Sequence, residues 1–420
     1  MSLLPRKRIL EITVFFSGAV VMTYELVGSR IVAPYVGTSI FVWASLIGVI
    51  LGSLSLGYYM GGRLADKRQD WVVLALIVMG ASFGIRLTAL LRDFIPNLIQ
   101  LVGGRVEVQS VFMALILFAP ASVCLGMVSP YATRLSLTDV TNAGRTVGRL
   151  SALSTVGSII GTFAAGFYLI PHFGSLRILI ALSLALLGLA ALMPLGQALS
   201  KQQKMWYWGG LLAVAILFGL LRSPTMVKAV DIDTPYNRLW IYESVDATGR
   251  ARRNLHTDPF GTQSAMFLDK PTELAAEYTK YYALANHFVP DLKNALMIGG
   301  CGYSYPKYFL QTYPSSSLHV VEIDPGMTQA ARDHFGLVDS PRLAITHEDG
   351  RIFLNQNKDH FDAILIDAFN SFSSIPFHLT TREAVQRVSE RLNDQGVVVL
   401  NLISALTGPK AKFFEAEYHT

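Results

Sequence analysis

Apolar and polar positions divide this chain into two stretches of different rhythm. Up to residue 222, apolar runs of helix length alternate with short polar clusters; the runs are 9–27, 39–60, 71–91, 110–131, 147–171, 176–195 and 205–221. Each approaches the ~20 residues a helix needs to cross a bilayer, so the pattern predicts seven spans. Beyond residue 222 the apolar runs shorten and stop at glycines or carboxylates. Residues 295–298 end at Gly299, Gly300 and Gly302, residues 318–323 carry Glu322 and lead into Asp324, residues 343–346 precede Asp349 and Gly350, and 362–367 ends on Asp367. Short runs bounded by turn residues read as buried parallel strands. Residues 239–242 read as an earlier strand, 273–287 and 379–392 as amphipathic helices, and 396–403 as a fifth strand of the later set. A helical membrane bundle followed by an α/β domain is the expectation.

Composition supports the first half of that reading. With 51% hydrophobic and 15% charged residues, the 420-residue chain is too apolar for an ordinary soluble enzyme of its size. The net charge of +5 is modest, and its basic residues lie beside apolar runs, so topology and lipid headgroups account for it and nucleic acid does not. Cys124 and Cys301 have neither disulfide nor metal-ligand spacing. Arg6-Lys7-Arg8 leads into the first run without a small-residue cleavage site, which reads as a retained span with a cytoplasmic N-terminus. Seven spans would then leave residue 223 onward outside the cell. The expectation keeps a cytosolic catalytic domain on a bacterial-type inner membrane, with 93–104 as a re-entrant or interfacial piece and one span miscounted. Glycines such as Gly48, Gly52, Gly57, Gly157, Gly161 and Gly166 suit close helix contact. Glu25 is expected to pair with Arg30 or Arg86, or to serve a substrate or lipid. Residues 61–68 look like the basic loop of major-facilitator transporters, but seven spans against the usual twelve make transport a weak reading.

The stretch 295–324 assembles a nucleoside pocket. A strand ending in a glycine turn lets backbone approach a ligand, and an acidic residue about 20 positions later is placed to accept ribose hydroxyls. Asp349-Gly350 offers a carboxylate and an amide to an adenine edge, and Asp367 stands at a strand tip, where open α/β sheets bind ligands. In that order these residues resemble the polyamine aminopropyltransferase family, the spermidine synthases, over residues 231–404. Thr234-Pro235-Tyr236-Asn237 and Gly261-Thr262-Gln263-Ser264 are similar to the small β-domain of that family. The apolar runs give a membrane bundle (1–222), and the resemblance implies after it a linker and small β-domain (223–290) and a Rossmann-like, methyltransferase-type domain (291–420). That fold normally continues past its fifth strand, so Thr420 reads as a truncation. It also implies roles: Glu322 for ribose, Asp349 and Gly350 for adenine, Asn237 in place of a glutamine beside the nucleoside, Pro376 lining the adenine, and Asp367 as proton acceptor. No metal is required, the only cofactor-like molecule being S-adenosylmethionine or its decarboxylated form as substrate. A homo-oligomer is allowed, since spermidine synthases commonly assemble.

The amine side departs from that family. Gly302 falls where a turn aspartate would grip an amine, Tyr281-Tyr282-Ala283 replaces Tyr-His-Glu, and Asn370 replaces a second aspartate. A polyamine without paired carboxylates is poorly held. Gln263, Tyr281, Tyr282, Tyr303 and Asn370 remain pocket candidates, the tyrosines as faces for a sulfonium cation. Gly302 would also tolerate an intact α-carboxylate, which could attack its own γ-carbon. The expectation therefore places an S-adenosylmethionine lyase, giving homoserine lactone and 5′-methylthioadenosine, ahead of aminopropyl transfer to putrescine. Methyl transfer and a nucleoside-binding membrane sensor or transporter are further alternatives.

Overall fold

A computed structural model describes residues 6–37, 39–103, 105–137, 143–193, 200–220, 229–258, 261–368, 376–408 and 411–420. The chain divides into two compact units, Met1–Pro224 and Thr225–Thr420.

The first unit is helical: α1 (Arg6–Val36), α2 (Ile40–Lys67), α3 (Trp71–Leu91), α4 (Ile95–Val102), α5 (Val106–Ser136), α6 (Ala143–Ala164), α7 (Ile170–Phe173), α8 (Ser175–Leu192) and α9 (Lys201–Leu220). Six helices among the described residues are long and apolar enough to cross a membrane, against the seven expected. The difference is α9, whose first turn is Lys201-Gln202-Gln203-Lys204 and whose apolar stretch is correspondingly short. The 93–104 piece forms one short helix, α4, after a 3-10 turn at Arg92–Phe94. Glu25 does not take the expected arginine partner. The ion pairs described in this unit are Glu11–Arg149, Asp66–Arg134, Arg92–Asp93 and Arg105–Glu107.

The second unit holds two sheets. Strands β1 (Val230–Asp233), β2 (Arg238–Val245), β3 (Ala251–His256) and β4 (Ser264–Phe267) form an antiparallel meander. The other sheet is parallel, in the order β7-β6-β5-β8-β9, from β5 (Asn294–Ile298), β6 (Ser317–Val321), β7 (Leu343–Thr346), β8 (Phe361–Ile366) and β9 (Leu392–Leu400). Helices α12 (Ser304–Thr312), α13 (Pro325–Phe335), α14 (Gly350–Gln356) and α15 (Arg382–Glu390) fill the crossovers, with α16 (Lys412–Tyr418) last. Strand order reverses around β5, so the crevice at the tips of β5 and β8 is where such a sheet binds ligands. The strands are apolar on both faces because both are covered: Met297, Val320 and Leu365 pack on the Phe309 side, Leu296, Ile364 and Ile366 on the Phe353 side.

Two expected helices are shorter than their apolar spacing suggested. Residues 273–287 break into α10 (Glu277–Lys280), a 3-10 turn at Tyr281–Ala283 and α11 (Leu284–Phe288). Residues 379–392 yield a 3-10 turn at Phe377–Leu379 and then α15, capped by the Thr381 hydroxyl accepting from Ala384 N.

Candidate active site

Glycine at 299 is dictated by sheet geometry. Its φ is +94°, and a Cβ there would run into the Asp367 carbonyl at the tip of β8, which adjoins β5. The turn that follows holds Glu322 from β6. Glu322 Oε2 accepts the amides of Gly300 (2.8 Å) and Cys301 (3.1 Å), and Oε1 accepts that of Asp324 (3.0 Å). Burial pushes the Glu322 carboxyl upward and these amides pull it back. Oε2 is filled by its two amides, while Oε1, with one, keeps lone-pair capacity for a ribose hydroxyl.

The next acid has a different task. Asp324 is fully buried, caps α13 through Gly326 N, and accepts from Thr234 Oγ1 (2.5 Å) and Asn237 Nδ2 (3.1 Å). Asn237 thus reaches the site from the β1–β2 turn with its amide nitrogen committed to Asp324. Asp349 caps α14, accepting from Arg351 N (2.8 Å) and Ile352 N, while its Oδ2 meets His378 Nε2 at 3.1 Å. His378 lies in the turn that follows Pro376, whose carbonyl accepts from Leu379 N (2.8 Å), so Pro376 and Asp349 are tied together. Gly350 is buried against Ile298, at the root of the same crevice.

Asp367 stands between three side chains that sequence reasoning did not assign to it or missed. Asn401, just past β9, donates Nδ2 to Oδ1 at 2.8 Å; Tyr278 of α10 donates its hydroxyl to Oδ2 at 3.2 Å and lies 3.3 Å from the Gln263 carbonyl. The buried Tyr282 hydroxyl lies close to the same carboxylate without completing a hydrogen bond. Burial raises the Asp367 carboxyl, and Asn401, Tyr282 and Tyr278 oppose that rise in that order. The ring contact of Tyr278 with Tyr282, and of Tyr282 with Tyr305, fixes this wall.

Other expected pocket residues sit elsewhere. Tyr281 points outward at 62% exposure, because the 3-10 turn places it opposite Tyr282. Tyr303, with a left-handed φ of 52°, turns its ring into the core, where its hydroxyl meets Thr328 Oγ1 at 2.8 Å. Gly302 does not open space for a substrate carboxylate. A Cβ there would meet Ser264 of β4 at 2.5 Å, and Ser264 is itself bonded to Ser304 Oγ at 3.0 Å. Gln263 contributes its main chain to this wall, and Asn370 lies outside the described residues. Among the described residues, no group of three His, Cys, Asp or Glu side chains could hold a metal.

Comparison with known proteins matches this geometry to sequence. Residues 278–406, from Tyr278 to just past Asn401, match the spermine/spermidine synthase domain. A probable polyamine aminopropyl transferase of Bifidobacterium longum is 33% identical over 178 residues, 41% of this chain and 37% of that protein. The polyamine aminopropyltransferase of Mycobacterium tuberculosis is 23% identical over 406 residues, 93% of this chain and 76% of that protein, so its match runs through the helical unit. The probable spermidine synthase structure from Corynebacterium glutamicum is 23% identical, covers 39% of this chain and 60% of that one, and has a TM-score of 0.35.

Proposed function

We propose, from the premise that the second unit is spermidine-synthase-like with a Rossmann-like fold, that this chain is a membrane-embedded aminopropyltransferase. The observation that carries the reading is the half-buried Asp367 carboxylate at the β5/β8 crevice, held by Asn401 and Tyr278. A sulfonium nucleoside, decarboxylated S-adenosylmethionine, would lie along the strand tips with its ribose on Glu322 and its adenine beside Asp349, Gly350 and Pro376. Asn237 and Asp324 would hold the β1–β2 turn over it.

In the reaction the amine nitrogen's lone pair attacks the methylene carbon next to sulfur. The C–S bond breaks with its electrons going to sulfur, 5′-methylthioadenosine leaves, and the proton on nitrogen passes to Asp367. The leaving group is already activated by its positive charge, so positioning and one proton acceptor suffice, with no metal in the scheme. Putrescine is the amine chosen for the test. The self-cleaving lyase has no counterpart among these relatives, and Ser264 fills the space beside Gly302 on which it depended.

Six membrane crossings would return the chain to its starting side, and Arg6-Lys7-Arg8 would make that side cytoplasmic. The first unit would then be lipid-embedded in a bacterial-type inner membrane with the active site in the cytosol; a homo-oligomer is compatible with this arrangement. Purified protein incubated with decarboxylated S-adenosylmethionine and putrescine should yield spermidine and methylthioadenosine in equal amounts by mass spectrometry. Methylthioadenosine with homoserine lactone from S-adenosylmethionine alone, and no spermidine, would overturn the proposal.

A further inference from the structure

We infer that the first unit is an inverted duplication of a three-helix repeat, α1-α2-α3 and α5-α6-α8, and that Glu25, present in one repeat only, is a binding site for an alkylammonium cation. The inference takes membrane embedding from the reading above but is independent of aminopropyl transfer.

The duplication is written in the contacts. Helix α1 runs antiparallel to α5, since Ser17 Oγ donates to Leu125 O and Tyr24 OH to Leu117 O. Moving α1 onto α5 by 108 positions carries Ser17 onto Leu125, so a residue touches its own counterpart, as happens on a two-fold axis. Moving α2 onto α6 takes 100 positions, carrying Gly57 and Gly61 onto Gly157 and Gly161. The close contacts then repeat in register. Side chains at Gly57 and Gly61 would collide with Val123 and Met127 of α5, and at Gly157 and Gly161 with Phe15 and Ala19 of α1; Phe15 and Ala19 lie 108 positions before Val123 and Met127. Likewise Gly126 abuts Leu54, and Gly18 abuts Ser154, again 108 and 100 positions apart.

The third pair agrees. Moving α3 onto α8 by 101 positions carries Ser82 onto Ser183, and Ser82 Oγ donates to Ser183 O at 2.6 Å, a second contact between counterparts. The buried positions Ile178, Leu179, Leu186 and Ala190 fall on Ile77, Val78, Ile85 and Ala89, all buried. Because matched helices run oppositely, the two-fold axis crosses the helices, and in a bilayer it would lie in the membrane plane. This is the inverted-repeat plan of many secondary carriers.

The axis fixes depth. Ser17 marks the middle, and Glu25 is eight residues further along α1, about 12 Å away at 1.5 Å per residue, inside the ~15 Å half-thickness of the hydrocarbon. Its counterpart on α5 is Thr133, and that of the neighbouring Tyr24 is Ala132, so the repeat itself does not demand this carboxylate. Tyr24 locks the place by bonding Thr88 Oγ1 (2.6 Å) of α3 and Leu117 O (3.0 Å) of α5. Glu25 is half-buried and outside the described ion pairs. A carboxylate at such depth is costly until a cation meets it. Among the described residues no group of three His, Cys, Asp or Glu includes it, so a metal is a poor match. One ammonium, donating charge-assisted hydrogen bonds, suits it.

The test uses the full chain in proteoliposomes, with Asp367→Asn to prevent turnover and radiolabelled putrescine as the probe. Two saturable sites per chain are expected, and adding Glu25→Gln should remove one while Glu25→Asp retains it. Equal site numbers with and without Glu25→Gln would overturn the assignment, as would binding that responds only to pH. A single site in Asp367→Asn that vanishes with Glu25→Gln would support Glu25 while counting against the aminopropyltransferase reading. The duplication is read separately in Cys124→Ala/Cys301→Ala protein: Gln69→Cys and Phe173→Cys should react with a membrane-impermeant maleimide from opposite faces. Labelling from the same face would refute it, and an unchanged labelling pattern in Glu25→Gln shows that this variant is folded.

Discussion

Asn401 Nδ2 donates to Asp367 Oδ1 at 2.8 Å, joining the end of β9 to the tip of β8. This bond holds the carboxylate's orientation and favours its ionised form in a half-buried site. Hydrogen bonds to charged groups contribute about 1.5–3 kcal/mol, so Asn401→Ala should lower kcat by about tenfold to a hundredfold. The methylthioadenosine Kd should change little, because the proposed nucleoside ligands Glu322 and Asp349 follow other strands. Steady-state kinetics beside equilibrium binding checks this, and an unchanged kcat would remove Asn401 from the machinery.

Tyr278 gives a pH signature. In the proposed scheme Asp367 accepts a proton only when ionised, and burial already raises its pKa, so the acidic limb of kcat/KM should lie above the ordinary carboxylate range. Tyr278 opposes that rise. Tyr278→Phe should therefore move the limb further up, with losses largest at acidic pH and activity recovering as pH increases. A profile displaced downward, or not at all, would contradict the assigned hydrogen bond.

Glu322→Gln separates binding from folding. Oε2 accepts two amides and Oε1 a third, so a glutamine nitrogen in either position faces a donor it cannot satisfy. Methylthioadenosine should bind at least about tenfold more weakly, the equivalent of ~1.4 kcal/mol. Calorimetric titration measures it, and a melting temperature recorded alongside shows how much of the loss is structural.

How far these residues were readable in the sequence follows from what kind of constraint each obeys. Glycines and carboxylates at strand tips carry period and position, so their gathering was visible: Gly299, Glu322, Asp349 and Asp367 all lie where the strands end. Tyr278 and Asn401 carry no such signal, since their role depends on how α10 and β9 dock against β8. Tyr303 misled because a left-handed residue reverses the expected side-chain direction, and Tyr281 because a 3-10 turn interrupts an apparently helical spacing. The duplicated helices escaped notice for another reason. Their match lies in glycine-to-backbone contacts across unequal loops, with little side-chain identity to align.

Gly302 supplies a packing test. Its backbone needs no special conformation, but a Cβ would stand 2.5 Å from Ser264 Oγ and 2.8 Å from its Cβ. Gly302→Ala should destabilise the protein by about 1–3 kcal/mol through overpacking. Adding Ser264→Gly should recover much of the loss in a thermal melt of the double variant. If the two losses simply add, the contact is not the cause.

Lys307 adds a stability effect distinct from catalysis. It is buried on α12, where its ammonium donates to Phe335 O and approaches Met266 Sδ at 3.1 Å, with no carboxylate partner among these contacts. Burial lowers its pKa from 10.5 to about 8. Between those values the folded chain has released the proton that the unfolded chain still holds, so stability from this group rises with pH from about 8 to 10.5 and is least below 8. Lys307→Met keeps the length and removes the charge. The melting temperature of the wild type relative to Lys307→Met should climb across that window, while other titrating groups cancel in the difference. Parallel curves would mean that the ammonium is solvated in the folded state, and that the α12–α13 contact does not depend on its charge.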